Sequence, residues 1–172
     1  MKSFCSHLIL WTCALMCCSA EAQTPGWIWH GDKGGDDLFA RRKFHVHNRV
    51  HSAELRICAD DGATVYLNGK EILAAVKGRK VQRLNMTSRL RLGRNVLAAK
   101  VDRKSGKRGF IAVLLVTLTT GRQLLINSDH TWKTSPTNSA KWTDLAFDDS
   151  RWPAARVLAL HGAKPWGRIL GP

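Results

Sequence analysis

Residues 53–69, AELRICADDGATVYLNG, contain the pattern that decides the fold. Apolar and polar side chains alternate along residues 53–59, which is typical of a strand with one buried face. Asp60-Asp61-Gly62 then predicts a turn, and residues 63–67 predict a second strand. Asn68-Gly69 is a strong hairpin signal, because a type I′ turn needs positive φ at both central residues.

On both sides of this stretch the chain consists of short strands separated by polar turns. No long segment shows the 3.6-residue apolar period of an amphipathic helix. The pattern predicts an antiparallel all-β protein, a β-sandwich or jelly roll, with a loop-rich last third. Further strands are predicted over residues 27–29, 38–46, 70–73, 96–101, 110–117 and 123–126.

Residues 1–22 have the composition of a secretory signal peptide. Lys2 gives a basic start, residues 8–18 form an apolar or neutral run, and Ala20-Glu21-Ala22 is a small-x-small cleavage site. The run is shorter than the roughly 20 residues of a membrane span, so we expect no membrane span. The sequence thus predicts a secreted protein, extracellular or periplasmic, with a single domain over residues 23–172. Cys58 would be its only cysteine, which excludes a disulfide scaffold.

Residues 59–71 resemble the central hairpin of galactose-binding-like jelly rolls. Such domains occur as the N-terminal sugar-binding domains of family 2 glycoside hydrolases and of α-L-rhamnosidases. Three further stretches resemble segments of the same family and occur in the same order: residues 39–44, 92–98 and 147–152. The similarity as a whole extends over residues 27–160. The resemblance implies sugar binding beside a catalytic domain. No catalytic domain is expected here, so the chain is not expected to be an enzyme.

Exposed aromatic rings with polar neighbours are the predicted sugar-binding groups. A pyranose stacks its apolar face on such a ring, while polar side chains bond its hydroxyl groups. Trp29 and Trp142 adjoin polar stretches and are expected to be exposed. The alternative is that the tryptophan rings fill the interior, since aromatic residues dominate core burial. The predicted ligand-binding set is Trp29, His30, Asp36, Asp37, Trp142 and Asp148.

The sequence predicts neither a cofactor nor a transition-metal site. His45 and His47 would share one face of a strand, but Lys43 and Arg49 lie nearby and no carboxylate or cysteine completes a ligand set. Related jelly rolls sometimes hold a structural Ca²⁺, for which Asp36-Asp37 is the candidate pair. Two adjacent carboxylates supply few of the roughly six to eight oxygens that Ca²⁺ requires.

Positive charge is concentrated in one part of the chain, whose formal net charge is +14. Residues 77–108 hold twelve Lys or Arg residues and one acid, Asp102. Such a segment attracts polyanions, while the alternative is a solubilising or edge-protecting role. No motif for reading a nucleic-acid sequence is present. We expect the polyanion-binding residues to meet on one edge: Arg89, Arg91, Arg94, Arg103, Lys104, Lys107 and Arg108.

Together these features predict a secreted, non-catalytic carbohydrate-binding domain that favours anionic glycans such as acidic polysaccharides. One alternative is a protein-interaction or structural module with an envelope protein partner. Another is general polyanion binding through residues 77–108. Tryptophans shielded from solvent would favour the interaction module, and strong salt dependence would favour polyanion binding.

Overall fold

The Asn68-Gly69 turn lies between two paired strands in the computed structural model. Asn68 has a φ of 51° and Gly69 a φ of 82°, as a type I′ turn requires. The predicted hairpin is therefore confirmed. The structure describes residues 24–31, 37–102 and 107–171, with only the backbone for residues 75–77. Within these ranges the chain forms strands, turns and irregular segments, without an α-helix.

The described residues form eleven strands. Their bounds are β1 Gly26–Trp29, β2 Leu38–Val46, β3 Val50–Ala59, β4 Gly62–Leu67, β5 Lys70–Lys77, β6 Gln82–Asn85, β7 Gly93–Asp102, β8 Phe110–Leu118, β9 Gln123–Asn127, β10 Lys133–Ser135 and β11 Arg156–Leu160. The sequence pattern did not predict β6, β10 or β11. These three strands are short, and each pairs with a strand from another part of the chain.

The strands form two antiparallel sheets. Sheet A has the order β11-β1-β8-β3-β6, with β9 also paired to β8, and sheet B has the order β10-β2-β7-β4-β5. All of the pairings are antiparallel. Facing sheets of this kind enclose one apolar layer, so the prediction of an all-β sandwich is confirmed.

The core lies between the sheets and follows the two-residue period of the strands. In β3, Leu55 and Ile57 point inward and are fully buried. Leu114 of β8 joins them from sheet A, while Val65 of β4 and Leu97 of β7 face them from sheet B. The polar residues of β3 therefore point to the outer face of sheet A.

Irregular segments cover part of each outer face. Trp142 and Trp152 pack on Phe39 and Ala98 over sheet B. Over sheet A, Trp166 and Leu170 of the C-terminal segment join a cluster with Trp27, Cys58 and Ile111. The rest of the outer face of sheet A stays open, with Leu115 and Leu125 exposed.

Residues 1–22 lie outside the described residues, so the predicted signal peptide has no structural account. Within the described ranges, no helix has the length and apolar character needed to cross a membrane.

Candidate functional site

A cleft on the outer face of sheet A is built by the register of three neighbouring strands. Glu54 of β3 pairs with Leu115 of β8, which in turn pairs with Leu125 of β9. The next row is Arg56, Val113 and Asn127. Because alternate residues of a strand share a face, these six side chains form one surface. We call it the sheet A cleft.

The chain termini of the described region form the walls of the sheet A cleft. Thr24 and Pro25 line it from the N-terminal side, and His161, Leu170 and Gly171 line it from the C-terminal segment. Its volume is about 400 Å³, within the range of about 300–1,000 Å³ of small-molecule sites. Leu115 and Leu125 are 38% and 41% exposed, so an apolar floor faces solvent.

An ion pair lies beside this apolar floor. The Nε–H of Arg56 donates to the Oε1 of Glu54, and one Nη1–H of Arg56 donates to the carbonyl of Leu170 at 3.4 Å. Both side chains are partly exposed. Guanidinium and carboxylate groups in such a position offer donors and acceptors to a polar ligand. The cleft thus combines an apolar floor with a polar rim.

His161 fixes the wall formed by the C-terminal segment. Its Nε2 accepts hydrogen bonds from the backbone N–H groups of Ile169 and Leu170, both at 3.1 Å. Burial, together with the charge of Arg168, lowers the pKa of His161 below its usual 6.5. An imidazole that accepts at Nε2 is neutral and carries its proton on Nδ1.

The sheet A cleft continues toward one end of the sandwich as a second, more polar recess. Ser52, Arg83, Asn85 and Thr117 line it, and it shares Glu54 and Leu115 with the cleft. Its volume is about 360 Å³. The two recesses together form a groove on the outer face of β3 and β8.

The expectation that Trp29 and Trp142 are exposed is wrong. Trp29 is 3% exposed and belongs to the main core, because β1 lies between β11 and β8. Trp142 is 7% exposed, because its segment folds back over sheet B and packs it against Phe39 and Tyr66. All the tryptophans of the described ranges are buried: Trp27, Trp29, Trp132, Trp142, Trp152 and Trp166.

The polar members of the predicted ligand set do not come together. His30 is 3% exposed and contacts the ring of Trp29. Asp37 lies 3.5 Å from the Nζ of Lys100, while Asp36 lies outside the described residues. Asp148 is exposed over sheet B, where its Oδ1 accepts a hydrogen bond from the backbone N–H of Ser150. Hydrogen bonds from the backbone and the side chain of Ser150 lower the pKa of Asp148.

The predicted polyanion-binding set is divided between the two ends of the sandwich, so the expectation of a single edge is wrong. Arg94 lies at the start of β7, opposite His45, whereas Asp102 lies at its far end. Eight residues of extended strand separate the two by roughly 25 Å. Arg89 and Arg91 lie at the same end as Arg94, in the connection that leads into β7. Lys107 and Arg108 follow the far end of β7, and Arg103 and Lys104 lie outside the described residues.

His45 and His47 do share a face, and their rings stack with centroids 4.3 Å apart. In the part of the chain that the structure describes, no group of three or more His, Cys, Asp or Glu side chains could hold a metal ion. The candidate Ca²⁺ pair is only half described: Asp36 lies outside the described residues, and the Oδ2 of Asp37 lies 3.5 Å from the Nζ of Lys100, so the Ca²⁺ site stays a prediction.

The residues of the sheet A cleft were not among the predicted ligand-binding residues, although the sequence contains a signal for some of them. Glu54 and Arg56 are the polar positions of the alternating stretch, so their outward orientation was predictable. Leu115 and Leu125 lie within continuous apolar runs, 110–116 and 124–126, in which the pattern does not show which face is open. His161 reaches the cleft only through the path of the C-terminal segment.

This sandwich is similar to one part of a much larger enzyme. The α-L-rhamnosidase of Streptomyces avermitilis is 33% identical over an alignment of 157 residues, and this alignment covers 83% of this chain and 15% of the enzyme. A structure of that rhamnosidase complexed with L-rhamnose matches with a TM-score of 0.78 and 31% identity, over 85% of this chain and 16% of the enzyme chain. The chain thus spans only a small part of this relative.

A second similarity is to a lectin. The Pleurotus ostreatus lectin in complex with GalNAc matches with a TM-score of 0.74 and 24% identity, over 87% of this chain and 47% of the lectin. This match shows a shared fold. No protein-family model matches the chain. The resemblance indicated by the sequence motifs is nevertheless confirmed: the chain is similar in sequence and fold to a domain of an α-L-rhamnosidase, and has a galactose-binding-like jelly-roll fold.

Proposed function

We propose that this protein is a secreted, non-catalytic carbohydrate-binding domain that holds a sugar in the sheet A cleft. The observation that carries the proposal is the combination of the apolar floor of Leu115 and Leu125 with the polar rim of Glu54, Arg56 and His161. A pyranose has the complementary shape, with an apolar face and a periphery of hydroxyl groups. The similarity to a rhamnosidase domain and a lectin supports the same class of ligand.

The carboxylates of the sheet A cleft support a binding role rather than hydrolysis. Most glycoside hydrolases place two carboxyl groups on either side of the scissile bond. In the described part of the chain, Glu54 is the one acidic residue that lines the cleft, and it is ion-paired to Arg56. The chain also matches only 15% of the rhamnosidase, which is the size of an accessory domain.

The proposal also includes a preference for anionic glycans and secretion of the protein. The net charge of +14 supports a preference for anionic glycans. The composition of residues 1–22 supports secretion. N-terminal sequencing of the protein recovered outside the cytoplasm should begin near Gln23, and an intact Met1 on the exported protein would contradict the signal peptide.

A protein-interaction module is the second candidate, and the burial of the tryptophans favours it over sugar stacking on indole rings. All six tryptophans of the described ranges are at most 8% exposed. The exposed apolar pair Leu115 and Leu125 could equally contact a protein. The following experiment therefore tests the sugar site without relying on tryptophan.

Calorimetry and affinity electrophoresis at high salt should reveal binding of L-rhamnose, N-acetylgalactosamine or a neutral polysaccharide that contains them. The substitution Leu125→Asp should weaken that binding about tenfold or more, because the apolar floor is lost. Leu158→Asp is the matched control, because Leu158 is similarly exposed, at 38%, but does not line the cleft.

Loss of binding in Leu125→Asp with retention in Leu158→Asp supports the proposal. If no glycan of the panel binds, or if both variants bind like the wild type, the sugar site in the cleft is excluded. The first of these outcomes would favour the interaction module.

A further inference from the structure

Four connections of the chain meet at one end of the sandwich. Val46 at the end of β2 pairs with Gly93 at the start of β7, and Val50 at the start of β3 pairs with Leu118 at the end of β8. Asn68 follows β4 and bonds to Val96 of β7. The connections are residues 47–49, 68–69, 86–92 and 119–122. Residues that are distant in sequence therefore lie on one surface.

This surface, which we call the basic end, has six exposed cationic side chains: Arg49, Lys70, Arg89, Arg91, Arg94 and Arg122. Among the residues that the structure describes, none of these six has a carboxylate oxygen within 4.0 Å. Only three of the six belong to the basic segment of residues 77–108. The fold adds the other three.

A buried amide network holds part of the basic end in a fixed geometry. The Oδ1 of Asn95 accepts from the N–H of Arg91 at 3.1 Å and from the Nδ2 of Asn68 at 3.0 Å. The Nδ2 of Asn95 donates to the carbonyls of Arg91 and Gly93. Asn68 in turn accepts from the N–H of Val96 at 2.8 Å. The loop that carries Arg89, Arg91 and Arg94 is thus tied to the hairpin that carries Lys70.

Few acids oppose these cations. Glu71, Lys70, Arg89 and Arg91 line one recess. The volume of this recess is about 370 Å³. Asp148 borders Arg94 in a neighbouring recess. Asp144 lies close to the hairpin. If Gly69 carried a Cβ, that atom would lie 2.5 Å from the Oδ1 of Asp144. The exposed histidines His45, His47 and His51 lie on the β2–β3 connection and its flanks, and no carboxylate pairs with them in the described ranges.

A role in blunting sheet edges does not explain Arg89, Arg91 and Arg94, although Lys70 does lie on the edge strand β5. Arg94 belongs to β7, which lies between β2 and β4 within sheet B. Arg89 and Arg91 belong to a connection that crosses from sheet A to sheet B. Charges that protect edges lie on the outermost strands. The exposed guanidinium groups of these three residues are without an ion pair in the described ranges, and a guanidinium group binds a carboxylate or sulfate through two parallel hydrogen bonds.

We propose that the basic end is a second binding site, which takes the anionic groups of an acidic polysaccharide independently of the sheet A cleft. The choice of a polysaccharide rests on the proposed carbohydrate-binding function. Single-stranded nucleic acids are disfavoured because such ligands stack their bases on exposed aromatic rings, and no Trp, Tyr or Phe side chain of the described ranges is exposed.

The test compares two triple variants that lose the same charge. The first is Arg89→Gln, Arg91→Gln and Arg94→Gln at the basic end. The matched control is Lys80→Gln, Lys107→Gln and Lys164→Gln, which are exposed residues outside the basic end. Binding of heparin, polygalacturonate and duplex DNA is measured by calorimetry at several salt concentrations. A neutral glycan is measured in parallel to report on the cleft.

The first triple variant should bind heparin or polygalacturonate about tenfold or more weakly, with a flatter dependence on salt, because fewer counterions are released. The control should stay within about twofold of the wild type. Equal weakening in both variants would reduce the effect to net charge and overturn the site. Tighter binding of duplex DNA than of either polysaccharide would overturn the choice of ligand. Since Leu125→Asp affects only the cleft, failure of either site can be recognised separately.

Discussion

Arg41 illustrates how one charged side chain can organise an irregular segment. Its side chain is fully buried against sheet B and contacts the ring of Phe147. Its guanidinium donates to the carbonyl of Asp144 at 2.7 Å, to the carbonyl of Phe147 at 3.1 Å and to the carboxylate of Asp149 at 2.6 Å. Burial lowers the pKa of Arg41, and Asp149 opposes that shift. The guanidinium thereby fixes the turn that covers sheet B.

We predict that Arg41→Met destabilises the protein by about 2–4 kcal/mol, because the carboxylate and the carbonyls lose a buried partner. Lys43→Met is the matched control. Lys43 donates to the same Phe147 carbonyl and Asp149 carboxylate from an exposed position, so its loss should cost about 0–1 kcal/mol. Urea denaturation of both variants measures the difference. Equal costs would show that burial does not strengthen the Arg41 contacts.

At the scale of elements, the C-terminal segment is held on sheet A through His161. Because its pKa is lowered in the fold, the unfolded chain takes up the proton more readily. Protonation also removes the acceptor that binds Ile169 and Leu170. The contribution of His161 to stability is therefore present at neutral pH and is lost as the pH falls below about 6.5.

We predict that the urea midpoint of the wild type falls between about pH 7.5 and about pH 5. His161→Gln should show a smaller fall, because an amide oxygen can accept the same hydrogen bonds without titrating. His130→Gln alters an exposed histidine outside this segment and should keep the wild-type response. A full pH response in His161→Gln would contradict the role of His161.

At the scale of the whole molecule, the sandwich has aromatic clusters on both outer faces as well as a core between its sheets. The rings of Trp27 and Trp166 stack with centroids 4.7 Å apart. The chain approaches them so closely at Gly109 that an added Cβ would lie 2.8 Å from the Trp27 ring. Cys58 is fully buried in the same cluster, and burial raises the pKa of its thiol to about 11.

We predict that Cys58 reacts slowly with iodoacetamide in the native protein and much faster in Trp166→Ala, because the covering segment loses its largest contact. The substitution should also cost about 3 kcal/mol of stability. Trp152→Ala is the control, since it removes a similar ring from the opposite face. It should lower stability while leaving Cys58 protected. Equal labelling in both variants would show that global unfolding controls access to Cys58.

The sequence by itself determined the class of fold. The alternation in residues 53–59 fixed which side of β3 is buried, and Asn68-Gly69 fixed a hairpin, because both signals depend on neighbours in the chain. The motifs around these residues also indicated the galactose-binding-like jelly roll. β6 was not predicted because three of its four residues are polar and it pairs with β3, which is distant in sequence.

Only the tertiary structure decided where ligands could bind. Trp142 has polar neighbours in sequence yet is buried, because burial depends on what crosses a residue in space. The sheet A cleft joins β3, β8 and β9 to the C-terminal segment, and the basic end joins four connections. Antiparallel pairing brings together residues that are far apart in sequence, and local patterns do not contain that information.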